Sequence, residues 1–194
     1  MSQEIEIEFK NLISEAEFYQ LLARYPFPEQ AITQTNYYFE TGDFALKERG
    51  CALRIREKKD QFVLTLKEPH PNGLLETHDT LTRQEAHAIM NGTYFNKSHV
   101  FQRLNAMHIS VPSLVYYGKL TTNRRETEFE DVLLVLDHSL YNNTSDYELE
   151  IEAPTEQIGL HVFHQILEQQ EIIRRDTPNK IERFFSTLSN CRDN

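Results

Sequence analysis

The segment Glu4-Ile5-Glu6-Ile7-Glu8-Phe9-Lys10 alternates charged and apolar residues without a break. In an extended chain successive side chains point to opposite faces, so Glu4, Glu6, Glu8 and Lys10 share one surface and Ile5, Ile7 and Phe9 the other. Carboxylates in register repel, and the simplest compensation is a hard divalent cation, which prefers oxygen ligands. A half-solvated surface strand is the alternative reading. The device recurs in Tyr147-Glu148-Leu149-Glu150-Ile151-Glu152. The opposite sign appears in the same period, with two guanidinium groups in Leu53-Arg54-Ile55-Arg56 and an ammonium in Val63-Leu64-Thr65-Leu66-Lys67. Charged faces looking into one interior would make a barrel with a polar lumen. Such a lumen is costly as a core but reasonable as a container for a polyanion and its metal ions.

These residues, taken in order, resemble the CYTH domains of the triphosphate tunnel metalloenzyme superfamily, which includes thiamine triphosphatases, inorganic triphosphatases and class IV adenylyl cyclases. Glu6, Glu8 and Lys10 match the family's Glu-x-Glu-x-Lys strand, and Thr35-Asn36-Tyr37-Tyr38-Phe39 its aromatic second strand. Arg54 and Arg56 match its paired arginines, Lys67 the lysine that follows and Glu76 the mid-chain glutamate. Arg125, Asp137, the glutamates from Glu148 to Glu152 and Lys180 complete the series. The resemblance spans almost the whole chain. It departs from the pattern around Glu76, where Leu74 and His78 stand in place of a basic residue and a second acid. Three in-phase C-terminal glutamates stand where the motif needs two, so either Glu148 or Glu152 accompanies Glu150. On the basic sixth strand Lys119, Thr121, Asn123 and Arg125 share a face, and Arg125 rather than Arg124 is assigned to the lumen.

The resemblance implies Mg²⁺ or Mn²⁺ held by Glu6, Glu8 and Glu150, with a second ion at Glu76, Asp137 and a further glutamate such as Glu148, Glu152 being the other candidate. It assigns the phosphate chain to Lys10, Arg54, Arg56, Lys67 and Arg125, with Lys180 closing over it. Glu6, Glu8, Lys10 and Arg56 carry catalysis. The implied activity is metal-dependent hydrolysis of an inorganic or small organic triphosphate by in-line attack of water. The alternatives are an adenylyl cyclase, using the same metals on ATP, and a non-catalytic polyphosphate- or nucleotide-binding module. No Walker loop, Gly-x-Ser-x-Gly elbow or His-Glu-x-x-His motif is present.

The elements that must position these groups fit one domain over residues 1–190 with a polar tail at 191–194. A net charge of −10 argues against a general nucleic-acid binder. No apolar run is long enough for a membrane span, and the opening Met1-Ser2-Gln3-Glu4 lacks signal-peptide character, so a cytoplasmic protein is expected. Cys51 and Cys191 read as reduced thiols.

Strands are expected at 3–10, 32–41, 51–58, 61–68, 74–80, 113–126, 131–138 and 146–153. Capping boxes at Ser14-Glu15-Ala16-Glu17 and Thr82-Arg83-Gln84-Glu85 open two helices, and two more are expected near 97–107 and after Pro154. Thr177-Pro178 reads as the N-cap and first position of the last helix. The fold class is α+β dominated by β, an eight-stranded antiparallel barrel or tunnel whose apolar outer face is covered by helices.

Overall fold

The computed structural model describes residues 2–71, 73–94 and 98–191, and their side chains except those of 2–5 and 189–191. The side chain of Glu4, the loop residue Asn72 and the tail residues 192–194 therefore lie outside the described residues. Antiparallel strands dominate an α+β chain. The strands are β1 (Ser2–Glu6), β2 (Glu8–Ile13), β3 (Ile32–Thr41), β4 (Ala52–Lys58), β5 (Gln61–His70), β6 (Gly73–Leu81), β7 (Leu114–Phe129), β8 (Val132–Tyr141) and β9 (Thr144–Glu152). The helices are α1 (Glu15–Arg24), α2 (Ala45–Glu48), α3 (Arg83–Met90), α4 (His99–Ala106), α5 (Glu156–Gln169) and α6 (Lys180–Cys191). The eight expected strands are all present, and the first is broken at Ile7, which makes nine among the described residues. Hydrogen bonding orders them β1-β6-β5-β4-β3-β7-β8-β9-β2. Among the described residues no helix is long and apolar enough to cross a membrane.

Two compact units make up the chain, one of Met1–Ile5 with Gln34–Leu120 and one of Glu6–Thr33 with Thr121–Asn194. In the first unit β3, β4, β5 and β6 form a meander of antiparallel neighbours. The β4–β5 link is the two-residue turn Lys59-Asp60, both with positive φ, a geometry that matches strand twist in tight hairpins. Residues opposite one another on antiparallel strands project to the same face. Phe39, Leu53, Ile55, Leu64 and Leu66 consequently line one side and pack on Ala86 and Ile89 of α3 and on Val100, Phe101 and Leu104 of α4. Thr82 caps α3 through the expected reciprocal pair with Glu85.

In the second unit β8 pairs with β7 and β9, and β9 with β2. Its apolar face gathers Ile13, Leu134, Leu136, Leu149 and Ile151 under Phe18 and Leu21 of α1 and Val162, Phe163 and Ile166 of α5. Each fully buried side chain of this size stabilises the fold by roughly 1.5–3 kcal/mol. The Ser14 and Glu17 capping box starts α1 as its sequence dictates.

The last helix differs from expectation. It begins at Lys180, and Thr177 Oγ1 accepts instead from the Leu12 N–H at 2.8 Å. The hydroxyl that looks like a helix cap ties the incoming segment to the edge of β2. Cys191, expected in the tail, is the final residue of α6.

Gly159 in α5 has a steric role: a Cβ there would meet the Phe9 ring at 2.4 Å and the Ala153 Cβ at 2.8 Å. Gly159→Ala is expected to lower the urea midpoint, by about 1–3 kcal/mol of overpacking cost, although alanine is the better helix former.

Candidate active site

Each unit turns one polar sheet face away from its apolar core, and the two faces carry opposite chemistry. In the first unit Arg54 lies opposite Tyr38 and Thr65, Arg56 opposite Asn36, Lys67 opposite Glu76, and Thr65 opposite His78. Arg56 Nε donates to Asn36 Oδ1 at 3.1 Å. Lys67 Nζ forms a close ion pair with Glu76, and Arg54 Nη2 stands 3.8 Å from the same carboxylate oxygen. The other oxygen faces His78 Nε2 at 3.3 Å. Glu76 is thus an acid held by cations. Arg54 Nε is buried and has no acceptor among the described residues, a donor that a phosphate oxygen would satisfy.

In the second unit the register sets Glu8 opposite Glu152, Lys10 opposite Glu150, Glu148 opposite Asp137, and Asp137 opposite Arg124. Arg124 donates to both Asp137 oxygens, Nε at 2.8 Å and Nη2 at 2.7 Å, and Nη2 reaches Glu150 at 2.5 Å. Lys180, the first residue of α6, places Nζ 2.5 Å from Glu150, 2.9 Å from Asp137 and 3.1 Å from Glu148. Arg183, one turn on, pairs with Glu148 and donates from Nε to Asp146 at 2.8 Å. The β8–β9 turn clamps this helix, since Asn142 Nδ2 donates to the Phe184 carbonyl at 2.8 Å and to Thr187 Oγ1 at 2.9 Å.

Burial and pairing set the protonation of these groups. Burial, followed by neighbouring Glu150, pushes Glu148 up to about 7 against the pull of Lys180 and Arg183. Burial also works to raise Glu150, but Lys180 and Arg124 outweigh it and hold that carboxyl well below the usual range. Burial opposes the Lys180 charge, and Asp137, Glu148 and Glu150 nevertheless hold its pKa far above that of a free lysine. Glu152 rises to about 7 through burial, with Arg124 opposing and Glu150, Glu6 and Glu8 reinforcing the rise.

Two acidic sets differ in what they can hold. Glu6, Glu8 and Glu152 offer only carboxylate oxygens, and the charges of Glu6 and Glu8 help to raise the pKa of Glu152. Their donor chemistry fits a hard divalent cation. Asp137, Glu148 and Glu150 already share an ammonium and two guanidinium groups, and Glu148 Oε1 is buried there without a hydrogen-bond partner among the described residues. Among the described residues no three His, Cys, Asp or Glu side chains stand gathered as a ready cage.

The CYTH domain family matches residues 4–185. The chain belongs to this family. It is 45% identical over 186 residues to the Bacillus subtilis protein named "Putative triphosphatase YjbK", covering 95% of this chain and 96% of that protein. A Bacillus halodurans crystal structure described as a putative adenylate cyclase superposes with a TM-score of 0.91 at 43% identity, over 95% of this chain and all of that one (100%). A Hippeastrum protein described as a putative adenylyl cyclase with a dominant triphosphatase activity shares the fold, with a TM-score of 0.78 at 24% identity over 94% of this chain and 96% of that one.

The fold of this CYTH chain brings Arg54, Arg56 and Lys67 onto one face, and Lys10, Asp137, Glu148, Glu150 and Lys180 onto another with Glu8 and Glu152. One expectation needs correction. Arg125 lies opposite Leu136, on the face of the apolar core, and its Nη2 donates to the Glu29 carbonyl at 3.2 Å; Arg124 takes the place beside the acids. The turn explains the parity. With only Glu130 and Asp131 between β7 and β8, Phe129 meets Val132 and position 124 must meet 137. Glu76, expected to ligate metal with Asp137 and Glu148, is held within the first unit by Lys67 and Arg54. Arg183 is a site residue that the sequence reading does not reach, although its spacing of three from Lys180 sets both on one helical face.

The shifted carboxyl of Glu152 gives a signed test. Its folded pKa of about 7 lies above the ordinary 4.5, so the native state binds the extra proton between those values and stability from this group falls as pH rises through that window. With chelator present, Glu152→Gln should melt at a higher temperature than wild type at pH of about 8 and at the same temperature at pH of about 4.5. Equal melting of the two proteins at both pH values would remove the assigned shift.

Proposed function

We propose that this chain hydrolyses a triphosphate, inorganic or carried by a small organic group, in a reaction that needs Mg²⁺ or Mn²⁺. The observation that carries the reading is the cationic face of Arg54, Arg56 and Lys67, with a buried Arg54 Nε that lacks an acceptor among the described residues. Planar guanidinium forks match pairs of phosphate oxygens, and an ammonium adds a mobile point charge. The 45% identity to a protein named as a triphosphatase supports the same reading.

The chain's own groups divide the work by charge. Arg54, Arg56 and Lys67 would bind the phosphate chain and stabilise charge spreading over the equatorial oxygens as the terminal group transfers. Glu6, Glu8 and Glu152 would hold the divalent ion, with Lys10, 3.0 Å from Glu8 Oε1, steadying that set. A bound divalent ion supplies neutralisation of phosphate charge and acidifies water. Arg124 orders the acidic set by gripping Asp137 and Glu150 and standing 3.8 Å from Glu152.

A cyclase reading has one observation in its favour, the name of the 43%-identical Bacillus halodurans protein. Product analysis separates the two. Inorganic triphosphate, thiamine triphosphate and ATP are each offered with Mg²⁺ or Mn²⁺, and orthophosphate is expected, with turnover abolished by EDTA. Cyclic AMP with pyrophosphate from ATP would replace the proposal by the cyclase. Arg56→Ala and Glu6→Ala should each lower kcat/KM by about a hundredfold while leaving the melting temperature within a few degrees. Wild-type rates from either variant would defeat the site assignment.

A further inference from the structure

In the first unit Thr65, His78 and Glu76 form a hydroxyl–imidazole–carboxylate chain across β5 and β6, where the family pattern has a second acid in place of His78. Thr65 Oγ1 is 3.0 Å from His78 Nδ1, and His78 Nε2 is 3.3 Å from Glu76 Oε2. Thr65 and Glu76 are each 2% exposed, so neither is open to exchange its partner for bulk water. The tautomer follows from donor chemistry. An ionised carboxylate only accepts, so Nε2 carries a hydrogen toward Glu76; with one ring proton, Nδ1 accepts from the Thr65 hydroxyl.

This chain fixes the rotation of the Glu76 carboxylate. Oε2 is taken by His78, and Oε1 is left to face Lys67 and Arg54. Without the imidazole the carboxylate can turn and take Arg54, now 3.8 Å away, more fully. The guanidinium would then be drawn toward Glu76 and away from any phosphate it serves. A carboxylate among phosphate-binding cations is a competitor of the substrate, and its hold must be limited as well as maintained.

We infer that His78 is a positioning residue that, anchored by Thr65, orients Glu76 so that Arg54 stays available to phosphate. The inference rests on the triphosphatase reading and adds to it a determinant of substrate affinity. His78 touches neither the reacting atoms nor the metal in this account, so its loss should appear in binding rather than in the chemical step.

The test uses the full chain with Mg²⁺ and a non-hydrolysable imido analogue of inorganic triphosphate, titrated calorimetrically, beside steady-state kinetics on inorganic triphosphate. His78→Ala should weaken analogue binding and raise KM, each by about tenfold, with kcat within about twofold of wild type. His78→Gln, whose amide nitrogen can reach the place of Nε2, should recover most of the affinity. Thr65→Val, nearly isosteric, should weaken binding in the same direction by about threefold. The inference is overturned if His78→Ala binds as wild type does, if Gln fails to improve on Ala, or if kcat falls while KM stays fixed. Should His78→Ala not fold, unchanged binding by Thr65→Val overturns it equally. Wild-type protein that does not bind the analogue overturns the triphosphatase reading and this inference with it, an outcome that the variants alone cannot produce.

Discussion

Buried charge survives in this molecule because strand register and the docked helix α6 set cations among the buried carboxylates. An isolated ion in a low-dielectric interior costs several kcal/mol even after relaxation. The ladder Arg124–Asp137–Glu148, with Glu150 one step along, brings opposite charges onto one face by pairing alone, and Lys67 with Glu76 repeats the device. A slip of one residue would send every one of these groups into the apolar core. Charge pairing and core burial therefore select the same register, and function-bearing residues double as determinants of the fold.

The periodic features were legible in the sequence for this reason. Alternation located the strands, with Ile32–Thr41 matching the expected 32–41, and the reciprocal Ser14–Glu17 and Thr82–Glu85 pairs located two helix starts. The resemblance carried the family and the cationic face. What was not legible depended on a single local event or on a distant contact. The charged and apolar alternation runs through Ile7 unchanged, so the break between β1 and β2 leaves no mark on it. The face of Arg124 depends on the turn at 130–131, and a turn one residue longer would have favoured Arg125. Thr177-Pro178 has the form of a helix start, but Leu12 claims the hydroxyl from 165 positions away in sequence.

Nor does residue type reveal which acids are already neutralised. Glu148, Glu150 and Glu152 alternate identically along β9, yet Glu148 faces Arg183 and Lys180, Glu150 faces Lys180 and Arg124, and Glu152 has, among the described residues, Arg124 at 3.8 Å. The opposed shifts of Glu150 and Glu152, both buried, follow from this difference in partners. The distinction that matters for chemistry, between a carboxylate with its cation built in and one that needs a cation from solution, arises from where α6 docks.

Both charged faces contain a counter-charge of their own. Lys180 stands among three carboxylates as a resident ammonium, and Glu76 stands among Lys67, Arg54 and His78 as a resident carboxylate. Resident counter-ions let a chain with a net charge of −10 fold before any ligand arrives, because no cluster has to wait for external charge to become tolerable. They also set a limit. A resident partner bound too tightly would compete with the ligand, and one bound too loosely would leave the cluster destabilising. Distances support an intermediate arrangement on the cationic face. Lys67 holds Glu76 closely, Arg54 stands off at 3.8 Å, and its buried Nε is still unmatched among the described residues. The group held least firmly is the one with geometry left to offer, and that graded hold is how a folded protein can keep a charged face both stable and available.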